Sequence, residues 1–196
     1  MTGTGCVVLF LVGAIAGGSS AQAPAGSAVL YTQEDLLFLR HMIVHHEQAI
    51  ELAALVPSRT GREELVRFAR QIERAQKAEI DQMRSLLRLA ADRGITLPDH
   101  ALHEAEPMPG LLSKARMNAI AAAKGSQFER QWLEGMIFHH EGALTMGRTQ
   151  QQRQFESRRR PYGIDVLVDE ILVVQRAEIV KMKAWLTEWG LSAAKR

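Results

Sequence analysis

Cysteine is nearly absent. Cys6 is the only one in 196 residues, and it lies in the apolar N-terminal stretch. A chain cut after that stretch has no thiol, which excludes disulfide staples and thiolate metal sites. Net charge is also nearly absent. A formal +2 at pH 7 gives no electrostatic reason to expect nucleic acid, and no basic-plus-aromatic binding motif appears. Long apolar runs are missing too. Val7 to Ile15 is the longest, well short of the roughly 20 residues of a membrane-spanning helix. Strand-type alternation is not found anywhere. Nor is a nucleophile–base–acid set, a phosphate loop or a hydrolase signature.

The N-terminus reads as an export signal. Small residues follow the apolar run, and Ala21-Gln22-Ala23 fits the small-x-small pattern ahead of a cleavage point, although no Lys or Arg precedes the run. Residues 1–23 are therefore expected to be a signal peptide and 24–30 a flexible leader. Residues 31–196 are expected to fold as one domain, periplasmic or secreted, with no stable membrane anchor after cleavage. Apolar residues make up 46% of the chain, enough for a real core.

Cap and breaker residues divide the domain into helices. Thr32 with Asp35 forms a capping box for a helix to about Leu55, stopped by Pro57. Thr60 to Glu63 reads as a second box, opening a helix to about Asp92 with Gly94 as its left-handed cap. Residues 95–112 are broken by Pro98, Pro107, Pro109 and Gly110 and read as a loop. Ser113 to Lys124 reads as a short helix. Ser126 to Glu129 is a third capping box, for a helix expected to fade near Arg148. The basic stretch 149–163 reads as a connection, and its run Arg158-Arg159-Arg160 as a solvated turn. A last helix is expected from about Asp165 to Trp189. The predicted fold is all-α: a four-helix bundle of two pseudo-symmetric hairpins, with a short extra helix in the central connection. One long crossover makes it ferritin-like; an up-down bundle is the competing arrangement.

The chain repeats itself. Met42-Ile43-Val44-His45-His46-Glu47 returns as Met136-Ile137-Phe138-His139-His140-Glu141, an offset of 94 (136 − 42). Gln76-x-x-Glu79-Ile80-x-x-Met83 returns as Gln175-x-x-Glu178-Ile179-x-x-Met182, an offset of 99 (175 − 76). Helical periodicity places both His pairs on the apolar stripe of their helices, and Gln76, Glu79 and Met83 on the stripe of the next. Gln175, Glu178 and Met182 match them. Glu47 and Glu141 point away from it. A buried ionised carboxylate must be paired, coordinated or neutralised, and the facing histidines are its obvious partners.

Two readings account for these residues. In one, His45, His46, His139, His140, Glu79 and Glu178 hold a metal ion. Met42, Met83, Met136, Met146 and Met182, each individually ordinary core filler, would favour a soft ion such as Cu(I) or Ag(I). His and Glu alone would suit Cu(II), zinc or iron. In the other, a His–Glu network fixes helix register without metal, and the domain is a helical interaction module. A di-metal oxidoreductase is a third possibility, but the chain lacks Glu-x-x-His and has one core Glu per half. His41 has no counterpart, since Gly135 matches it, and reads as accessory. His100, His103 and Met108 in the central loop read as scattered polar positions or an auxiliary site.

The duplicated Met-Ile-x-His-His blocks, the Gln-x-x-Glu-Ile-x-x-Met blocks, Met108-Pro109-Gly110 and the closing Trp185-Leu186-x-x-Trp189-Gly190 resemble the domain of unknown function 305 family over about Tyr31 to Leu191. The resemblance implies an exported ferritin-like bundle, with copper binding and copper tolerance in some members. It implies His45, His46, His139 and His140 as ligands, with the five methionines nearby. Leu52 stands where the second block has Met146, and Leu111 follows Met-Pro-Gly where another Met is common. The first site is therefore poorer in sulfur.

Overall fold

The computed structural model describes residues 31–98 and 108–191. The expected signal peptide and leader, His100 and His103, and residues 192–196 lie outside them. Among the described residues there are five α-helices and no strand. They are α1 (Gln33–Leu55), α2 (Glu63–Ala91), α3 (Lys114–Ala122), α4 (Gly125–Glu156) and α5 (Ile164–Glu188), with a 3₁₀ turn at Val56–Ser58 after α1.

Local sequence explains several ends. Thr32 and Asp35 form the expected reciprocal box: Asp35 N–H donates to Thr32 Oγ1 (3.2 Å) and Thr32 N–H to Asp35 Oδ2 (2.8 Å). Past α2, Gly94 adopts φ +75°, and Ile95 N–H reaches back to the carbonyl of Ala90 at 3.0 Å. That is the backbone closure a left-handed residue permits.

The other two expected capping boxes do not form. The residue capping α2 is Arg62, with no side-chain cap, and α4 begins at Gly125 after Lys124. Glu129 is buried instead. It accepts from Thr60 Oγ1 and from Arg62 Nε at 3.2 Å. A charge-assisted bond to a guanidinium outweighs a single local amide. The amide of Gly125 is satisfied by the carbonyl of Arg59 at 2.8 Å. The second helix of the repeat also outlasts the expected stop at Arg148, continuing to Glu156. Its extra turns are Gln- and Arg-rich, tolerated by helices. They are anchored by buried Gln150, whose Nε2 donates to Asp35 Oδ1 at 2.6 Å. Asp35 Oδ2 also takes Arg159 at 3.3 Å, so the arginine run is not wholly a solvated turn.

The two halves pack alike: α1 lies against α2, α4 against α5, and the hairpins meet along α1 and α4. Asp35 contacts Gln150, His45 contacts His139, and Trp132 Nε1 donates to the carbonyl of Leu52 (2.8 Å). Rising numbers on α1 meet falling numbers on α4, so these helices are antiparallel. With α1 and α2 antiparallel as well, α2 and α4 run the same way. The connecting chain must therefore travel back along α1. It does so: Pro109 meets His45, Leu112 meets Gln48, and Gly125 meets Arg59. At one end Trp185 stacks on Trp189 (4.8 Å between ring centroids), Phe68 meets Trp185 edge-on, and Arg62 lies over Trp189. That explains the aromatic closing segment. The core runs the length of both hairpins and includes Leu39, Leu52, Leu65, Ile72, Phe128, Trp132, Leu133 and Ile171.

Candidate metal centre

In α1, Met42, His45 and His46 occupy positions i, i+3 and i+4, which lie on one helix face. Met136, His139 and His140 do the same in α4. That face is the buried one in both helices: all four imidazoles and both methionines are fully buried. The α1–α4 contact brings the halves together in the middle of the molecule. The rings of His45 and His139 lie 3.8 Å apart, and each lies 6.4 Å and 6.0 Å from its neighbour, His46 and His140 respectively. The four rings thus form one continuous row across the hairpin junction.

Each ring is held by one nitrogen. His45 Nε2 bonds the Pro109 carbonyl (3.1 Å) and His139 Nε2 the carbonyl of His45 (2.8 Å). His46 Nε2 meets Glu79 Oε2 (2.7 Å) and His140 Nε2 meets Glu178 Oε2 (2.8 Å). A carbonyl or carboxylate oxygen accepts, so each Nε2 carries the proton, a tautomer assigned from its partner. In a neutral ring this leaves the lone pair on Nδ1. All four Nδ1 atoms are buried without a hydrogen-bond partner. Orphaned buried acceptors are uncommon, and four at matched positions are a pattern.

Burial keeps the central rings uncharged. The His45 pKa is pushed down to about 3, first by burial, then by His46 and His140, against the opposing Pro109 carbonyl. His139 is held well below its usual range by burial and then by His45, His140 and His46. Half-buried His41 is lowered by burial too, and its Nε2 lacks a partner.

The other expected residues fall as follows. Glu79 and Glu178 sit against the outer rings, Glu178 buried and Glu79 slightly exposed. Met83 and Met182 are fully buried one turn further along α2 and α5, while Met146 is half-buried at the core edge. Gln76 and Gln175, one turn before the glutamates, are buried with both amide atoms unpartnered. Glu47 and Glu141 face outward, on Arg84 (3.1 Å) and Lys183 (2.7 Å). No group of three or more His, Cys, Asp or Glu among the described residues is arranged to hold a metal ion. The side chains gathered here are imidazoles, with Met42 and Met136 one turn before them on the same buried helix faces.

Two supporting residues, Gly142 and Gln48, escaped the sequence reading. Gly142 lies inside α4, where glycine costs roughly 0.5–1 kcal/mol relative to Ala. A Cβ there would collide with the Pro109 carbonyl and Gly110. Gly110 itself has φ +78°, and a Cβ on it would come within 2.7 Å of the His139 carbonyl. The strand of chain that fixes His45 is thus laid directly on the α4 backbone. At the matching place in the first half stands Gln48 (142 − 94), and its amide clamps both the N–H (2.7 Å) and the carbonyl (2.9 Å) of Leu112. The only sequence signal was an unexplained glycine within a helix.

A helical protein with duplicated buried His pairs at its hairpin junction is the class defined so far. The chain belongs to the family described as domain of unknown function DUF305, whose model matches residues 35–186. No curated protein matches it. Among solved structures it is similar to a DUF305 protein of Streptomyces coelicolor (31% identity, 80% of this chain and 92% of that chain, TM-score 0.66). A DUF305 fragment from Deinococcus radiodurans is similar at 29% identity over 80% and 97%, TM-score 0.66. CopM in its Cu(I)-bound form is similar at 28% identity over 79% and 96%, TM-score 0.60. CopM structures also include Cu(II)- and Ag-bound forms.

Proposed function

We propose that this chain is an exported protein that binds copper as cargo, for sequestration or delivery in metal tolerance, on a ferritin-like four-helix bundle. One observation carries the reading: four buried imidazoles have Nε2 committed to oxygen while all four Nδ1 lone pairs stay unpartnered. A ring fixed through one nitrogen and free at the other is the usual state of a metal-binding histidine. The candidate ligands are His45, His46, His139 and His140, with Met42, Met136, Met83, Met182 and, at the rim, Met146. Glu79 and Glu178 act as the outer acceptors that orient His46 and His140. Neutral nitrogens with thioethers beside them suit Cu(I); imidazoles without the thioethers would equally suit Cu(II) or zinc. Copper on CopM and the family membership support this choice. The run 1–23 and the S. coelicolor relative, predicted to be secreted, support export. The antiparallel α1–α4 contact and the returning connection support the ferritin-like topology.

The His46–Glu79 and His140–Glu178 bonds also suit a second reading, a metal-free polar core. Titration of chelator-free, untagged protein separates the two. Cu(I) is expected to bind more tightly than about 1 µM, roughly −8 kcal/mol, and His45→Ala with His139→Ala to abolish that binding in a folded chain. No binding of Cu(I), Cu(II) or zinc at that level, with only stability altered by the double substitution, leaves the metal-free core.

A further inference from the structure

Helix α5 carries an apolar seam on its outer side. Val166, Val173 and Val180 are 52%, 69% and 65% exposed. Spaced by seven residues, they return to the same side every two turns. Ala177 and Ala184, also exposed, lie beside them. Phe155, 79% exposed at the end of α4, continues the face, since it lines a groove with Asp165 and Asp169 at the start of α5.

The duplicated half supplies an internal control. At the offset of 99, Val166, Val173 and Val180 correspond to Arg67, Arg74 and Asp81 of α2, all exposed. The same fold position is therefore polar in one half and valine in the other. Valine is a poorer helix former than arginine, and at these exposures it buries little. Nothing inside the monomer accounts for three of them.

Charge along α5 selects the occupant. Its first half bears Asp165, Asp169 and Glu170; its second half bears Arg176, Lys181 and Lys183 on the outside, with Glu178 turned inward and Glu188 only at the last residue, beyond the span a second copy of α5 centred on Val173 would cover. We propose that this seam is a homodimer interface, in which a second copy of the chain lies antiparallel along α5. A twofold axis at Val173 places Val166 opposite Val180 of the second copy. It sets each acidic half against a basic half, as an isologous contact requires. Parallel pairing would oppose like charges, which is destabilising.

Sedimentation of the full chain between about 1 and 100 µM tests this. A concentration-dependent dimer is expected. Val173→Glu should weaken it at least tenfold, and Arg74→Glu, at the matching place on α2, should leave it unchanged. Arg176→Glu should also weaken it, and adding Glu170→Lys should restore it, because about an axis at Val173 these two positions face each other. All four positions are exposed, so helicity should be unaltered. A monomer at every concentration overturns the proposal, including one that docks this face on another protein or a membrane. So does a dimer insensitive to Val173→Glu, or one equally sensitive to Arg74→Glu.

Discussion

His45 and His139, one from each half of the repeat, lie face to face with ring planes inclined by 37°, and His139 Nε2 donates to the backbone carbonyl of His45 at 2.8 Å. The bond ties the second half to the first at the point where both present a free Nδ1. The 3.8 Å separation of the rings also disfavours charging both, since two buried positive charges so close would repel strongly in a low-dielectric core.

Metal-free protein should therefore lose stability in acid. The folded chain holds His45 near a pKa of about 3, while an unfolded histidine titrates near 6.5. Between those values the unfolded state binds more protons. Stability from this ring is constant above pH 6.5 and falls by about 1.4 kcal/mol per unit as pH drops towards 3. His139 shifts the same way. Urea midpoints at neutral and mildly acidic pH should show the fall, and His45→Gln with His139→Gln should flatten it. An unchanged slope in the double variant would assign the effect elsewhere.

The glutamates act on the outer rings from behind. Glu79→Gln keeps an oxygen that can accept from His46 Nε2 but replaces the carboxylate behind the ring with an amide. Copper affinity should fall by about 10- to 100-fold, the range for such supporting groups, with the urea midpoint little altered. Competitive Cu(I) titration reads this directly. Complete loss of binding would instead make Glu79 a ligand.

Gly142→Ala should disturb His45 without touching it. The new methyl group falls on the Pro109 carbonyl and Gly110, so the loop must lift and His45 Nε2 loses its acceptor. The expected cost is about 1–3 kcal/mol, as for an overpacked core, despite the higher helix propensity of alanine. Chemical denaturation would reveal it. A stabilised variant would show that the loop moves freely away from α4.

Trp132→Phe separates packing from hydrogen bonding at the α1–α4 contact. Trp132 is fully buried, and its indole N–H satisfies the Leu52 carbonyl. Leaving that carbonyl unpaired should cost about 1–3 kcal/mol, beyond the lost ring volume. Trp189→Phe, at the more open end of the molecule, should cost less. Equal losses would mean that the buried bond contributes nothing of its own.

The sequence was informative where the physics is local. A 3.6-residue period marks His45, His46, His139 and His140 as inward-facing because neighbours within two turns define a face. Thr32 with Asp35, and Gly94, mark ends because their partners lie three to five residues away. Glu129 has the same signature as Asp35 and behaves differently. Its best donors, Thr60 and Arg62, are distant in sequence and become available only when the hairpins meet. Polarity beyond Arg148 suggested a helix end because the stretch lacks an apolar stripe. The turns persist because Gln150 finds buried Asp35 across the α1–α4 contact.

By itself, then, the chain determined an all-helical domain with two His pairs on buried stripes, since periodicity and capping depend on near neighbours. Tertiary structure decided that the two His pairs form one row, that Nε2 rather than Nδ1 is the committed nitrogen, and that Gly142 must lack a side chain. Those outcomes depend on which backbone carbonyls and carboxylates arrive from other helices. Only the crossing of α1 with α4 and the return of the Pro109 loop along them fix that.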